Sequence, residues 1–223
     1  AEMGPFSGSG TRTIALTNTE QFLQQARLAV AAGPAPNAAL NHILRVEQDI
    51  VQAASGLMDA GANQVFRTAF PQTAFGNAMR TAAQVVTSRS GVAALKLSLN
   101  GFDTHSGQLG NHNRLLKELA EGLVALKGAL SEFGRWDDTL VATYAEFGRR
   151  PKENASAGTD HGTASAHFML GGRVKGALYG QRPALDRLDG NGNLSFAVDF
   201  RDIYATVLER WWGVNSSAAL RGR

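Results

Sequence analysis

Between residues 111 and 133, Leu115, Leu116, Leu119, Leu123, Leu126, Leu130 and Phe133 recur at helical spacing, and Gly134 closes the run. A short apolar stretch lies on either side. Residues 92–99 alternate Leu95, Leu97 and Leu99 with Lys96 and Ser98, bounded by Gly91 and Gly101, and residues 139–144 form the second stretch. Strand, long amphipathic helix and strand in this order form a crossover that is right-handed by strong default, with the two strands parallel. The expected fold class is α/β, a mostly parallel sheet flanked by helices.

Each expected strand ends in residues suited to holding a metal. The first delivers Asp103 and His105, with His112 early in the following helix; the second delivers Glu146, then Arg149 and Arg150, and a polar stretch leads on to Asp160 and His161. Four of the five histidines fall between 105 and 167. In open α/β sheets ligands bind at the carboxyl edge of the strands, where both clusters are expected. A dinuclear hydrolase needs carboxylates and neutral imidazoles converging on its ions, and Asp103, His105, Glu146, Asp160 and His161 are of that type, with zinc or manganese the best-suited metals. Taken alone, an Asp-x-His or Asp-His pair is more often a cap or a hydrogen-bonded pair than a ligand set.

Arg149 and Arg150 are expected either to clamp an anion such as a phosphate or sulfate ester, or to pair with Glu146 or Glu153 and order the loop. His112 is expected to orient Asp103 or His105. His167 reads as a strand residue and His42 as a solvated helix residue. Thr104 and Ser106 adjoin the first cluster, but nothing in their spacing singles out a nucleophile. No nucleophile elbow, Walker A loop, dinucleotide fingerprint or zincin helix is present.

With no cysteine in 223 residues, thiolate chemistry, thiolate metal ligation and disulfides are all excluded. The charge is +3, and the basic residues are scattered rather than clustered with aromatics, which argues against a nucleic-acid partner. No apolar run reaches the roughly 20 residues of a membrane span, so no transmembrane segment is expected.

Elsewhere, Thr17-x-x-Glu20 opens a helical segment that Gly33 ends, and a second helical pattern starts at Asn37. Thr73 precedes a helix with Phe75, Met79, Ala82, Ala83 and Val86 inward. Residues 149–165 read as a long polar loop, and Asp199 caps a final helix ended by Gly213. The chain divides into a helical amino-terminal segment, 1–69, and a core, 70–213, within one α/β domain or fragment.

The run Leu97-Ser98-Leu99-Asn100-Gly101-Phe102-Asp103-Thr104-His105-Ser106-Gly107-Gln108, followed by His112, Ala145-Glu146-Phe147-Gly148-Arg149-Arg150, Glu153-Asn154, Gly158-Thr159-Asp160-His161-Gly162-Thr163, Gly171-Gly172 and Asp199-Phe200-Arg201, resembles the bacterial family DUF1501 from about Phe70 to Gly213. That family is similar to the alkaline-phosphatase and sulfatase superfamily. The resemblance implies an alkaline-phosphatase-like fold, of which this chain would be the carboxyl-terminal part, and a metal-dependent hydrolase of phosphate or sulfate esters in the periplasm or secreted. Asp103, His105 and His161 would hold one metal, Glu146 and Asp160 would serve a second or orient the first, and Arg149 would bind the anion. Two departures stand out: the first pair is Asp-x-His where a wider gap is usual, and Glu146-Phe147 stands where Asp-His is expected. The superfamily's nucleophile and first metal-binding Asp belong to an amino-terminal half, which a missing segment or a second copy of the chain would have to supply. The other reading is a non-catalytic binding or structural module derived from that fold.

Overall fold

The computed structural model describes residues 64–88 and 92–220. Helices expected at 17–33 and from Asn37, with His42, lie outside the described residues. The described residues fall into two compact units, those up to Asn100 together with Arg114–Thr139, and Gly101–Asn113 together with those from Leu140 on.

In the first unit, helix α1 (Ala74–Thr87) starts where expected: the Thr73 hydroxyl oxygen accepts the Gly76 N–H at 3.0 Å. It ends where the Thr87 hydroxyl donates back to the Ala83 carbonyl and the Ser88 hydroxyl to that of Val85. Helix α2 (Gln108–Glu132) is the long amphipathic helix and continues into the second unit at its amino-terminal end. Gly134, at φ 64°, terminates it, and the Arg135 N–H reaches the Leu130 carbonyl across the turn.

The buried stripe of α2 is Leu115, Gly122, Ala125, Leu126, Ala129 and Leu130, whereas Leu116 is 47% exposed and Phe133 40%. The leucine count therefore overstates the buried face. Small residues line much of it because α1 brings Phe75 and Met79 against Gly122, where a Cβ would meet the Phe75 ring at 2.9 Å. Phe66 packs edge-to-face on both Phe70 and Phe133, at 5.8 and 5.4 Å between ring centres.

Glu132 ties the segment before α1 to the end of α2. Its carboxylate accepts the Thr68 hydroxyl, the Thr68 N–H at 2.7 Å and the Arg67 N–H at 2.8 Å. The Thr68 hydroxyl first, and then the two backbone N–H groups, hold its carboxyl below the ordinary value. A carboxyl lowered by folding contributes stability in full above the ordinary glutamate range, and that contribution is lost as pH falls through its folded value. Glu132→Gln should therefore have a lower Tm at neutral pH and lose less on acidification. Parallel plots of Tm against pH for the two proteins would refute this.

The second unit is built differently. Among the described residues its buried groups are mostly polar, namely Thr104, Thr159, Asn193 and Ser216, with Ala205 the apolar one. Strand β1 (Val141–Ala142) pairs antiparallel with β4 (Met169–Leu170), and β2 (Gly148–Glu153) pairs antiparallel with β3 (Thr159–Gly162). No ladder is formed by residues 92–99. Where the sequence reads as a loop, the β2–β3 pair is a hairpin whose register shifts between Arg149 and Glu153, across Pro151, which has no N–H to give the ladder. The Asn154 side-chain oxygen closes its turn by accepting the Ser156 and Gly158 N–H groups. Helix α3 (Phe200–Thr206) is capped by Asp199, which accepts the Arg201 N–H; it continues as a π-helical turn, Val207–Trp211, after which Gly213 lies at φ 67°. Phe200, the first residue of α3, is 61% exposed. No helix among the described residues is long and apolar enough to cross a membrane.

Candidate functional site

The segment after Gly101 and the β2–β3 hairpin meet within the second unit. Gly101, at φ 105°, turns the chain, Thr104 is buried at its centre, and Asp103 and His105 flank it facing outward. Strand β3 carries Thr159, which is buried, followed by Asp160 and His161, which are exposed. Gly158 lies against the backbone of His105 and Ser106, too close for a side chain, and the Thr159 N–H donates to the Thr104 carbonyl at 3.2 Å.

Asp103, His105 and His161 each present a ligand atom within 4.8 Å of the others. Asp103 Oδ1 lies 2.8 Å from His161 Nε2 and 3.0 Å from His105 Nε2. With metal bonds of about 2.1 Å, neighbouring ligands of one ion sit about 3.0–3.5 Å apart, so the two oxygen–nitrogen separations are compatible with ligands of one ion as well as with hydrogen bonds. The side chains are about half exposed, Asp103 at 53%, His105 at 51% and His161 at 47%, so a solute can approach.

Other groups fix these three. Phe147, which cannot ligate, stacks flat on His161 at 3.8 Å between ring centres and 7° between planes. His105 Nδ1 faces Asp160 Oδ1 at 3.4 Å, the geometry by which a carboxylate orients a metal-binding imidazole. Asn154 donates to both the His105 carbonyl and Asp160. Hydrogen bonding from His161, then from Arg149, outweighs partial burial and holds the Asp103 carboxyl below its ordinary value; the Asn154 amide does the same for Asp160, ahead of His105.

Beneath them runs a polar network. Gln108 Oε1 accepts the hydroxyls of Thr104 and Thr159 at 2.9 and 2.8 Å, and His112 Nε2 lies 3.0 Å from the Thr104 oxygen. His112 thus holds the residue between Asp103 and His105 rather than either of them. Because the Thr104 hydrogen is directed to Gln108, that oxygen takes its bond from His112 Nε2–H, which fixes the imidazole tautomer.

Glu146 stands exposed at a bend before β2 and is not among the converging groups. Arg149 points inward and bonds to Asp103, while Arg150 is half-buried with its Nε unbonded; its charge is felt by Asp160 and Asp189. His167 pairs with Ser165 at 2.8 Å, and burial lowers its pKa. Sequence reasoning assigned no role to Asn154, Gln108 or Thr159. An Asn four residues before a Gly, between two polar runs, is the pattern that could have marked the hairpin turn.

A family model described as "Protein of unknown function (DUF1501)" matches residues 11–220. No curated protein and no solved structure matches the chain.

Proposed function

Since the chain belongs to the DUF1501 family, whose description assigns no activity, we propose from the site itself that the protein holds a divalent metal, zinc or manganese, and is a hydrolase of phosphate or sulfate esters. The observation that carries this is the approach of His105 Nε2 and His161 Nε2 to a single oxygen of Asp103, at half-exposed positions. Asp103, His105 and His161 would hold the ion, with Asp160 orienting His105 through Nδ1. A bound divalent cation would polarise an ester oxygen and stabilise charge on the leaving group. Arg149 is bonded internally, and Arg150, whose charge is felt at Asp160, would be the cation that attracts an anionic ester. Thr104 is buried and hydrogen-bonded, which leaves Ser106 as the exposed hydroxyl beside the cluster. A mostly parallel, alkaline-phosphatase-like sheet and an exported location belong to the same proposal.

One observation favours the second reading, a non-catalytic module: Asp103 Oδ1 already takes three donors from within the protein. Metal content of chelator-free protein, measured by inductively coupled plasma mass spectrometry and followed by assays with aryl phosphates and aryl sulfates, separates the two. Stoichiometric metal with turnover supports the hydrolase, metal without turnover supports a binding module, and absence of metal sinks the metal-dependent reading.

A further inference from the structure

We infer that Arg149 is a positioning residue: its guanidinium holds the Asp103 carboxylate in register with His105 and His161 and is not an anion-binding group. The inference deepens the metal-site reading and rests on it for its functional meaning. An arginine carries five N–H groups in a rigid planar fork. Here Nε donates to the Thr159 hydroxyl at 3.0 Å, Nη1 to Asp103 Oδ1 at 2.9 Å, and Nη2 to the carbonyls of Thr104 and Thr159 at 2.6 and 2.5 Å. Four of the five N–H groups are thereby used inside the protein, and one Nη1 hydrogen remains. The Arg149 side chain is 17% exposed against 53% for Asp103, so it lies beneath the carboxylate rather than beside an incoming solute.

This arrangement does two things. It binds the Asp103–Thr104 segment to the β2–β3 hairpin, joining the two stretches of chain that supply the imidazoles. It also engages Oδ1, the oxygen that faces both His105 and His161, which sets the rotation of the carboxylate. A lysine supplies a single point of charge and cannot span these acceptors, so Arg149→Lys is not a conservative change here.

The test compares the wild-type chain with Arg149→Ala, Arg149→Lys, Asp103→Asn and Thr159→Ala. Imidazole ring signals in long-range proton–nitrogen correlation spectra are recorded without metal, and zinc is then titrated against a chromophoric chelator. Both Arg149 variants should move the His105 and His161 ring signals in the same sense as Asp103→Asn and weaken zinc binding roughly 10- to 100-fold, as loss of an outer-shell partner does. Thr159→Ala removes the Nε acceptor but leaves the Asp103 contact, so its ring signals should stay near wild type. Wild-type ring signals in Arg149→Ala overturn the proposal. Displacement in Thr159→Ala as large as in Arg149→Ala also overturns it, since the effect would then come from the hairpin as a whole. Zinc uptake by none of these proteins overturns the metal reading, and the ring spectra alone then decide the role of Arg149.

Discussion

Asp103→Ala is expected to leave the protein without stoichiometric metal, and Asp103→Ala/His161→Ala to leave none. In the proposed metal site the aspartate would supply the anionic ligand, and both imidazoles approach its Oδ1. Its removal takes away one ligand and loosens the other two, so affinity should fall by more than the roughly 10- to 100-fold that loss of an outer-shell partner costs. Asp160→Asn, which alters the partner of His105 Nδ1 and of the Asn154 amide but none of the three converging groups, should stay within that smaller range. Mass-spectrometric metal content and a zinc titration measure both effects. A metal that binds the native state alone stabilises it by about 2.7 kcal/mol at a free concentration 100 times Kd. Chelator should therefore lower the Tm of metal-loaded wild type and leave that of the double variant unchanged. Equal metal content in wild type and double variant would show that the ion sits elsewhere.

Leu130→Ala should destabilise the first unit by about 2–5 kcal/mol, the range for emptying a well-packed leucine site. Leu130 is fully buried, with Leu126 and Ala129 buried beside it on the same helix. Domains have only about 5–15 kcal/mol of stability in all, so the loss should show as a large fall in urea midpoint at unchanged slope. Leu116→Ala is the contrasting case. Leu116 carries the same residue type on the same helix yet is 47% exposed, and its truncation should change stability by no more than about 0.5 kcal/mol. Similar costs at the two positions would mean that α2 buries a different face.

That pair also shows where sequence reading reaches its limit. Hydrophobic spacing located α2, Thr73 and Asp199 marked helix starts, and Gly134 and Gly213 marked stops, because caps and left-handed turns are local chemistry carried by one or two residues. Which side of α2 is buried depends on shape: Gly122 receives Phe75 because it has no side chain, and no hydropathy count of α2 alone contains Phe75. The stretch 149–165 reads as a loop since its residues are polar and lack a period; the hairpin there comes from the Asn154 turn and from inward bonds to the Asp103 segment.

For the site, residue type and order marked Asp103, His105, Glu146, Asp160 and His161 as candidates, since metal-ligating chemistry is confined to few side chains and these cluster in the chain. Their convergence was not determined locally. Asp103 and His161 are 58 residues apart, and their meeting depends on Gly158 passing against the His105 backbone and on the Arg149 fork. The sequence likewise proposed Glu146 as a ligand and Arg149 as an anion clamp from their nearness along the chain. Only the tertiary structure decided that Phe147 presents its ring to His161 while Glu146 stands apart, and that Arg149 turns inward, because a side chain's direction is set by the rings and buried acceptors that distant parts of the chain bring to it.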